Sequence, residues 1–307
     1  MKIEWTGIFP AVTTKFNDDD DLDLKWIQKN VEEQIIAGVS GIILGGTLGE
    51  ASVLSKKEKQ TITSAVLAQA KERVPVILNV AEQRTSDAVD FVKEAEQLGA
   101  NGLMLLPPMR YLADDRETLT YLKTVAQATT LPIMIYNNPI DYKILVTMEM
   151  FGELASIENV QAVKESTREI SNIGKMLDTF GDRFAVFSGV DTLAFESLVA
   201  GAVGWVAGLV CAFPTETVAI YKLVKSGQIE EARKINDWFM PLLELDINTK
   251  LVQNIKLAEV ATGLGTENVR PPRLPLVGEE RKKVLEIIET AMASRPALPN
   301  FTSAIMS

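Results

Sequence analysis

The sequence predicts a (β/α)8 barrel, the TIM-barrel fold, followed by a C-terminal helical appendage. Eight short apolar segments alternate with segments that carry apolar residues at helical spacing, which is typical of a parallel sheet covered by helices. Eight such units in one chain favour closure of the sheet into a barrel. Since no strand is predicted after the eighth unit, we assign residues 1–227 to the barrel and residues 228–307 to the helical region.

The elements follow one another in a regular order. An apolar segment over residues 7–14 predicts the first strand, and a helix predicted over residues 24–37 ends at Gly38. The same succession of helix, glycine, small residues and apolar strand recurs around Gly99 and Gly201. The eight strand segments lie within residues 7–14, 39–44, 74–80, 98–105, 131–136, 159–163, 184–188 and 200–207.

Helices alone are predicted after the eighth strand. They cover residues 215–226, 229–245, 249–262 and 279–293, and a proline-rich strut over residues 270–275 joins the last two. An open doubly wound sheet is the alternative architecture. Its nucleotide-binding versions lose support because no G-x-G-x-x-G follows the first strand.

Composition narrows the possible functions. The formal net charge is −10 and the sequence shows no basic stripe, so neither nucleic acid nor a membrane surface is an expected partner. Cys211 is the only cysteine, and no apolar run approaches the roughly 20 residues of a membrane span, which indicates a cytoplasmic protein. The absence of histidine excludes serine-histidine triads and histidine-rich zinc sites, and we expect neither metal nor cofactor.

Lys164 closes the sixth predicted strand, at the barrel end where catalytic residues are found. An ordinary lysine, with a pKa of about 10.4, is an ammonium ion that cannot attack a carbonyl. Apolar surroundings lower that pKa, and the neutral amine then forms a Schiff base. The alternative is a lysine that only extends towards solvent from a strand end.

Other strand ends supply further candidates. The glycine-rich turn over residues 45–50 leaves backbone N–H groups free to bind a carboxylate, and Thr47 adds a hydroxyl, although packing alone would explain such a turn. Tyr136 ends the fifth strand and either directs its hydroxyl into the barrel mouth or packs as a cap. The candidate substrate-binding residues are Gly46, Leu48, Glu82, Asn138, Gly189 and Val206.

Three of these strand ends resemble the family of dihydrodipicolinate synthase and N-acetylneuraminate lyase, class I Schiff-base enzymes on a (β/α)8 barrel. By this resemblance Lys164 is the Schiff-base lysine, Tyr136 the proton-relay phenol and Thr47 its hydroxyl partner. It also implies a small-molecule substrate and a homotetramer built as a pair of dimers. The motifs are Gly46-Thr47-Leu48-Gly49-Glu50, Tyr136-Asn137-Asn138-Pro139 and Val163-Lys164-Glu165.

The sequence departs from the synthase pattern at three positions. Leu48 replaces a hydroxyl that holds the pyruvate carboxylate, and Asp141 replaces the arginine that binds the aldehyde substrate's carboxylate. Met109 stands where the synthase has a second relay tyrosine, although Tyr111 is close by. A substrate carboxylate without its arginine loses a strong bidentate partner, so these departures weaken the synthase interpretation.

The same motifs also resemble a narrower branch, the 1-pyrroline-4-hydroxy-2-carboxylate deaminases, together with residues 80–82, 108–109 and 201–205. That resemblance implies a cyclic imine carboxylate as substrate and ammonia and 2,5-dioxopentanoate as products. Glu82 is a candidate for sensing the ring nitrogen or the hydroxyl, or else a rim carboxylate without a catalytic part. The alternatives are dihydrodipicolinate synthase or another pyruvate-dependent aldolase, and a non-catalytic ligand-sensing barrel.

Overall fold

The computed structural model describes residues 2–299, in which eight parallel strands form one barrel-shaped sheet. The predicted fold is therefore confirmed. Around the sheet the order is β1-β8-β7-β6-β5-β4-β3-β2, and a parallel bridge between Ala11 and Ile43 joins its two edges. The strands are β1 Gly7–Pro10, β2 Ile42–Leu44, β3 Val76–Val80, β4 Gly102–Leu105, β5 Ile133–Asn137, β6 Val160–Glu165, β7 Ala185–Ser188 and β8 Gly204–Ala207.

Twelve α-helices lie within the described residues, and those expected after β8 all form. Polar caps and left-handed residues set several helix ends. Asp23 accepts a hydrogen bond from the Trp26 amide at the start of α1, and Gly38 ends that helix at φ 95°. The helices are α1 Leu24–Ala37, α2 Lys56–Ala70, α3 Thr85–Gln97, α4 Asp115–Ala126, α5 Pro139–Tyr142, α6 Met148–Leu154, α7 Ser171–Phe180, α8 Ala194–Val199, α9 Pro214–Lys225, α10 Ile229–Leu243, α11 Leu251–Ala261 and α12 Gly278–Ala293.

The first two strands are shorter than the apolar segments that predict them. β1 ends at Pro10. The Ala11 N–H still donates to the carbonyl of Ala207 at 2.8 Å, and the Val12 N–H then donates to that of Ile43 in β2 at 3.0 Å. β2 begins at Ile42, whose N–H donates to the carbonyl of Pro75 at 2.8 Å, and the preceding Gly41 lies against an aromatic ring. A Cβ atom at Gly41 would come within 2.3 Å of the Phe9 ring. Apolar patterning marks buried chain, whereas hydrogen bonding decides where a strand ends.

Two buried ion pairs tie α11 to the barrel. Lys15 lies 2.9 Å from Glu259, Lys256 lies 2.5 Å from Glu50, and all four side chains are fully buried. Glu50 closes the glycine-rich turn after β2, so this pairing fixes the turn against the C-terminal helices. Removing one partner of such a pair is strongly destabilising, by roughly 3–5 kcal/mol, because it leaves an uncompensated buried charge.

The boundary at residue 227 stays a prediction, and residues 300–307 of the predicted helical region lie outside the described residues. Within residues 2–299, no helix combines the length and the apolar character that crossing a membrane requires.

Candidate active site

A cavity of about 350 Å³ opens at the carboxyl ends of the strands. Its walls come from the turn after β2, the ends of β5 to β8 and the segment between α10 and α11. A volume of this size suits a small-molecule substrate. The structure brings eight of the nine predicted site residues to this cavity, namely Lys164, Tyr136, Thr47, Gly46, Leu48, Asn138, Gly189 and Val206.

Lys164 is a buried lysine that has no ion-pair partner among residues 2–299. Its side chain belongs to β6, in register with Tyr136 on β5, and its Nζ atom lies 4.0 Å from the centroid of the Tyr136 ring. Two other lysines in the described chain, Lys15 and Lys256, are also buried, but each pairs with a glutamate. Burial lowers the pKa of Lys164, against the opposing influence of the nearby Tyr142 hydroxyl and carboxyl groups. The arrangement thus favours the neutral, nucleophilic amine.

Gly189 makes room for the lysine side chain. It follows the end of β7, and a Cβ atom at this position would lie 2.6 Å from Cγ and 2.9 Å from Cε of Lys164. The methylene chain of the lysine therefore passes directly over the backbone. A larger residue would have to displace the side chain from its place in the cavity.

Tyr136 has a hydroxyl group held by a neighbouring amide. The Nδ2 atom of Asn138 donates to the Tyr136 hydroxyl at 3.0 Å and to Oδ2 of Asp141 at 2.7 Å. Burial raises the pKa of Tyr136 to about 12, so the phenol carries its proton at neutral pH. Because the Tyr136 ring contacts the Lys164 side chain, its protonated hydroxyl can deliver a proton to a group bound at Lys164.

Thr47 pairs with a phenol that sequence reasoning missed. Its hydroxyl lies 2.9 Å from the hydroxyl of Tyr142, whose ring meets that of Tyr136 edge-on, with 5.5 Å between centroids. The sequence contained one signal for this residue, the pair Asn138-Pro139, because an N-cap residue followed by proline is typical of a helix start. The short helix α5 begins there, and Tyr142 at its end lies at the cavity mouth. Tyr111, the phenol noted earlier for this role, is 56% exposed and lies outside the cavity lining.

Glu82 is the predicted site residue that the structure places outside this cavity. Its carboxylate lies 3.2 Å from Nζ of Lys59, and it lines a different cavity, of about 400 Å³, between α2 and α3. β3 ends at Val80, and Glu82 already belongs to the turn that leads outwards to α3. The alternation of side-chain directions stops where the strand stops, so a position close to the end of β3 does not fix the direction of the Glu82 side chain.

Two further charged residues line the mouth cavity without having been predicted. Asp246 lies between α10 and α11, outside the barrel, and Arg168 lies in the loop after β6 with a left-handed φ of 65°. Among the residues that line this cavity, Lys164 and Arg168 are the two with cationic side chains. Neither new residue belongs to a strand-end motif, so pattern reasoning had no means of selecting it.

The family model and the sequence relatives that match this chain belong to the same protein family. A model of the dihydrodipicolinate synthetase family matches residues 4–291. The chain is 32% identical over 282 residues to the 4-hydroxy-tetrahydrodipicolinate synthase of Methanosarcina barkeri, covering 91% of this chain and 96% of that one. It is 30% identical over 287 residues to the enzyme of the same name from Exiguobacterium sibiricum, covering 92% of this chain and 96% of the relative.

Solved structures show the same likeness. A dihydrodipicolinate synthase from Bacillus anthracis matches with a TM-score of 0.90 and 27% identity, covering 94% of this chain and 99% of the other. The synthase from Aquifex aeolicus matches with a TM-score of 0.89 and 26% identity, covering 96% and 100%. The barrel fold, the lysine at its mouth, the sequence relatives and the similar solved structures all indicate the same family. The chain therefore belongs to the dihydrodipicolinate synthetase family and is a lyase of that family.

Proposed function

We propose that the chain is a Schiff-base deaminase that converts 1-pyrroline-4-hydroxy-2-carboxylate and water into 2,5-dioxopentanoate and ammonia. Lys164 is the nucleophile, Tyr136 and Thr47 serve proton transfer, and Gly46, Leu48, Asn138, Gly189 and Val206 surround the substrate. The buried, unpaired lysine supports the Schiff-base step, and the composition of the cavity mouth supports the choice of substrate.

The chemistry follows from the electrophilic character of an iminium ion. The neutral amine of Lys164 adds to C2 of the cyclic imine, and the ring bond between C2 and nitrogen then breaks, which leaves a primary amine on C5. The iminium that results at C2 makes the C3 protons acidic. One proton leaves C3, its electron pair forms the C3–C4 double bond, and the C4 hydroxyl departs as water. One proton then moves from C5 to C3 and one from the nitrogen to C4, so that the C3–C4 double bond is replaced by a C5–nitrogen imine. Two water molecules enter, one hydrolysing this imine to release ammonia and one hydrolysing the bond to Lys164. Tyr136, assisted by Thr47, carries protons in these steps.

The observation that carries the substrate assignment is the acidic character of the cavity mouth beyond Lys164. Asp141 replaces the arginine of the synthase pattern and is held in place by the Asn138 amide. Asp246 adds a second carboxyl group to the same cavity. A second substrate carboxylate placed against Asp141 would be repelled, whereas a hydroxyl group would find hydrogen-bond partners in both carboxyl groups. The hydroxy-imine has one carboxylate, and the N–H groups of the Thr47–Leu48 turn offer it a site.

The test is to offer two substrate sets to the pure enzyme and to follow both products. We expect ammonia release from the hydroxy-imine and negligible dihydrodipicolinate from pyruvate with aspartate semialdehyde. The unmatched carboxylate of the semialdehyde should cost about 2–5 kcal/mol, the scale measured for a broken charge pair. Asp141→Arg is the informative variant, since it should improve use of the semialdehyde. Robust dihydrodipicolinate formation without ammonia would overturn the proposal.

A synthase is the second candidate function, and one observation favours it. Arg168 lines the cavity from the loop after β6, and an arginine there offers a carboxylate a bidentate partner. The relatives named above are synthases by name. If Arg168 binds a second carboxylate, the product assay should yield dihydrodipicolinate, and Arg168→Ala should abolish it. A ligand-sensing barrel, the third alternative, predicts neither product.

We further propose that the protein works as a homotetramer, as the family resemblance implies. Large apolar side chains are exposed in the segments that follow β4 and β5, which supports burial of these segments between subunits. Sedimentation equilibrium should give four times the mass of one chain, and a monomer would contradict the proposal. The exposed residues are Leu112 at 74%, Leu145 at 46% and Ile140 at 40%.

A further inference from the structure

Asp246 is a carboxyl group that the C-terminal region contributes to the cavity. It lies just after α10, and its Oδ1 atom is buried without a hydrogen-bond partner. The backbone opposite leaves room for it, because a Cβ atom at Gly208 would lie 2.4 Å from this same oxygen. A buried polar atom without a partner costs stability, so its presence at a substrate cavity calls for a functional explanation.

The neighbouring Asp191 shows what a structural carboxylate looks like in this fold. Its oxygens accept hydrogen bonds from Nε1 of Trp205 at 2.9 Å and from the backbone N–H groups of Gly208 and Leu209 at 3.1 and 2.8 Å. These bonds occupy Asp191 and hold the loop after β8. Within the described residues, Asp246 has no comparable set of partners. Its Oδ1 atom is enclosed against the Gly208 backbone, and the side chain as a whole is only partly buried and lines the cavity.

We propose that Asp246 is a catalytic residue: its carboxyl group donates a hydrogen bond to the C4 hydroxyl of the Lys164-bound substrate and protonates that hydroxyl as it leaves. This inference rests on the proposed deaminase function. It assigns to the C-terminal region a direct part in the reaction, beside the barrel residues Lys164 and Tyr136.

The charges around Asp246 support a neutral, proton-donating carboxyl. Burial raises its pKa well above the ordinary value, the charges of Asp191 and Asp141 raise it further, and Lys164 acts in the opposite direction. A protonated Asp246 places no negative charge near Lys164, so it does not draw a proton onto the amine. One cavity can therefore hold a neutral nucleophile and a neutral acid at the same pH.

The step balances in atoms and electrons. The electron pair left at C3 forms the C3–C4 double bond, the C4–O bond breaks, and its electrons stay on oxygen. The carboxyl proton of Asp246 joins this oxygen, and water departs. Asp246 is left as a carboxylate and regains its proton when the protonated Lys164 iminium is hydrolysed, because that hydrolysis returns a neutral amine and releases one proton.

Asp246→Asn keeps the size of the side chain and an N–H donor but removes the acid. We expect ammonia release to fall by about 10²-fold or more, the scale typical of a lost general acid. Borohydride trapping of pyruvate on Lys164 should stay at the wild-type rate, because pyruvate has no C4. Wild-type ammonia release by this variant would overturn the inference.

Stability provides a readout that separates catalysis from a structural role. A carboxyl group with a higher pKa in the folded state than in the unfolded state makes the protein less stable as pH rises. The free energy of unfolding falls between the unfolded-state pKa, about 3.9, and the folded-state pKa. Asp246→Asn should therefore melt at the same or a higher temperature at neutral pH and show a flatter dependence on pH. The matched control Asp191→Asn should melt at a lower temperature, because one acceptor oxygen then remains for three N–H groups and the new NH2 group faces a donor. A lower melting temperature for Asp246→Asn would identify a structural residue and overturn the inference.

A pair of acyclic probes tests the C4 contact without ammonia chemistry. Wild-type enzyme should trap 4-hydroxy-2-oxobutanoate at concentrations roughly fivefold lower than 2-oxobutanoate, as one hydrogen bond allows. Asp246→Ala should lose this preference, and Asp246→Asn should keep it. Equal trapping of both probes by the wild type would overturn the inference. Preference without ammonia release from the hydroxy-imine would overturn the deaminase proposal alone and leave the C4 contact of Asp246 standing.

Discussion

Lys164→Ala is expected to abolish turnover, lowering kcat by about 10⁴-fold or more, because every step after substrate binding depends on the covalent bond to this amine. Incubation of the wild-type protein with pyruvate and then borohydride should add one ligand mass per chain, on the peptide that holds Lys164. The variant should gain no mass. Because burial lowers the pKa of Lys164, labelling should already be fast at pH values where an ordinary lysine is protonated, and it should slow as pH falls through the lowered pKa.

Lys15 is the internal control for this experiment. It is as buried as a lysine can be, but its Nζ atom lies 2.9 Å from Glu259 and also donates to the Thr13 backbone carbonyl at 3.2 Å. A paired ammonium is not nucleophilic, so the peptide that holds Lys15 should remain unlabelled in both proteins. Label on any peptide other than that of Lys164, or no label with any 2-oxo acid, would remove the Schiff-base step and with it the proposed function.

Tyr136→Phe is expected to lower kcat by about 10²-fold or more while the fold stays intact. The substitution removes the hydroxyl that Asn138 holds and leaves the ring contact with Lys164 in place. The adduct with pyruvate should still form, though more slowly, because the lysine keeps its burial. Stopped-flow measurement of adduct formation and steady-state ammonia release separate the two effects.

Tyr111→Phe is the matched control for Tyr136→Phe. Tyr111 is the exposed phenol after β4 and lies outside the cavity lining, so removal of its hydroxyl should leave kcat unchanged. Full activity in Tyr136→Phe would reduce Tyr136 to a packing residue. A loss in Tyr111→Phe equal to that in Tyr136→Phe would show that the proton path does not follow the geometry of the mouth.

The sequence by itself determined the barrel and the centre of the site. The strands of a parallel barrel are short and apolar, and each is followed by a helix. Eight such units can therefore be recognised from the sequence alone. The sequence also predicts that residues at the strand ends lie close together, because the carboxyl ends of parallel strands meet at one face of the barrel. Lys164, Tyr136 and Thr47 were found in this way, and the structure brings all three to one cavity.

Only the tertiary structure decided which other side chains complete the site. Tyr142 reaches Thr47 because a short helix turns the chain back, and Asp246 reaches the cavity because α10 and α11 pack over the barrel. Glu82, adjacent in sequence to a strand end, pairs with Lys59 outside the mouth. Alternation and spacing record how one element sits in its sheet or helix. These patterns do not predict where the side chains of a separate element, joined by a turn, will lie.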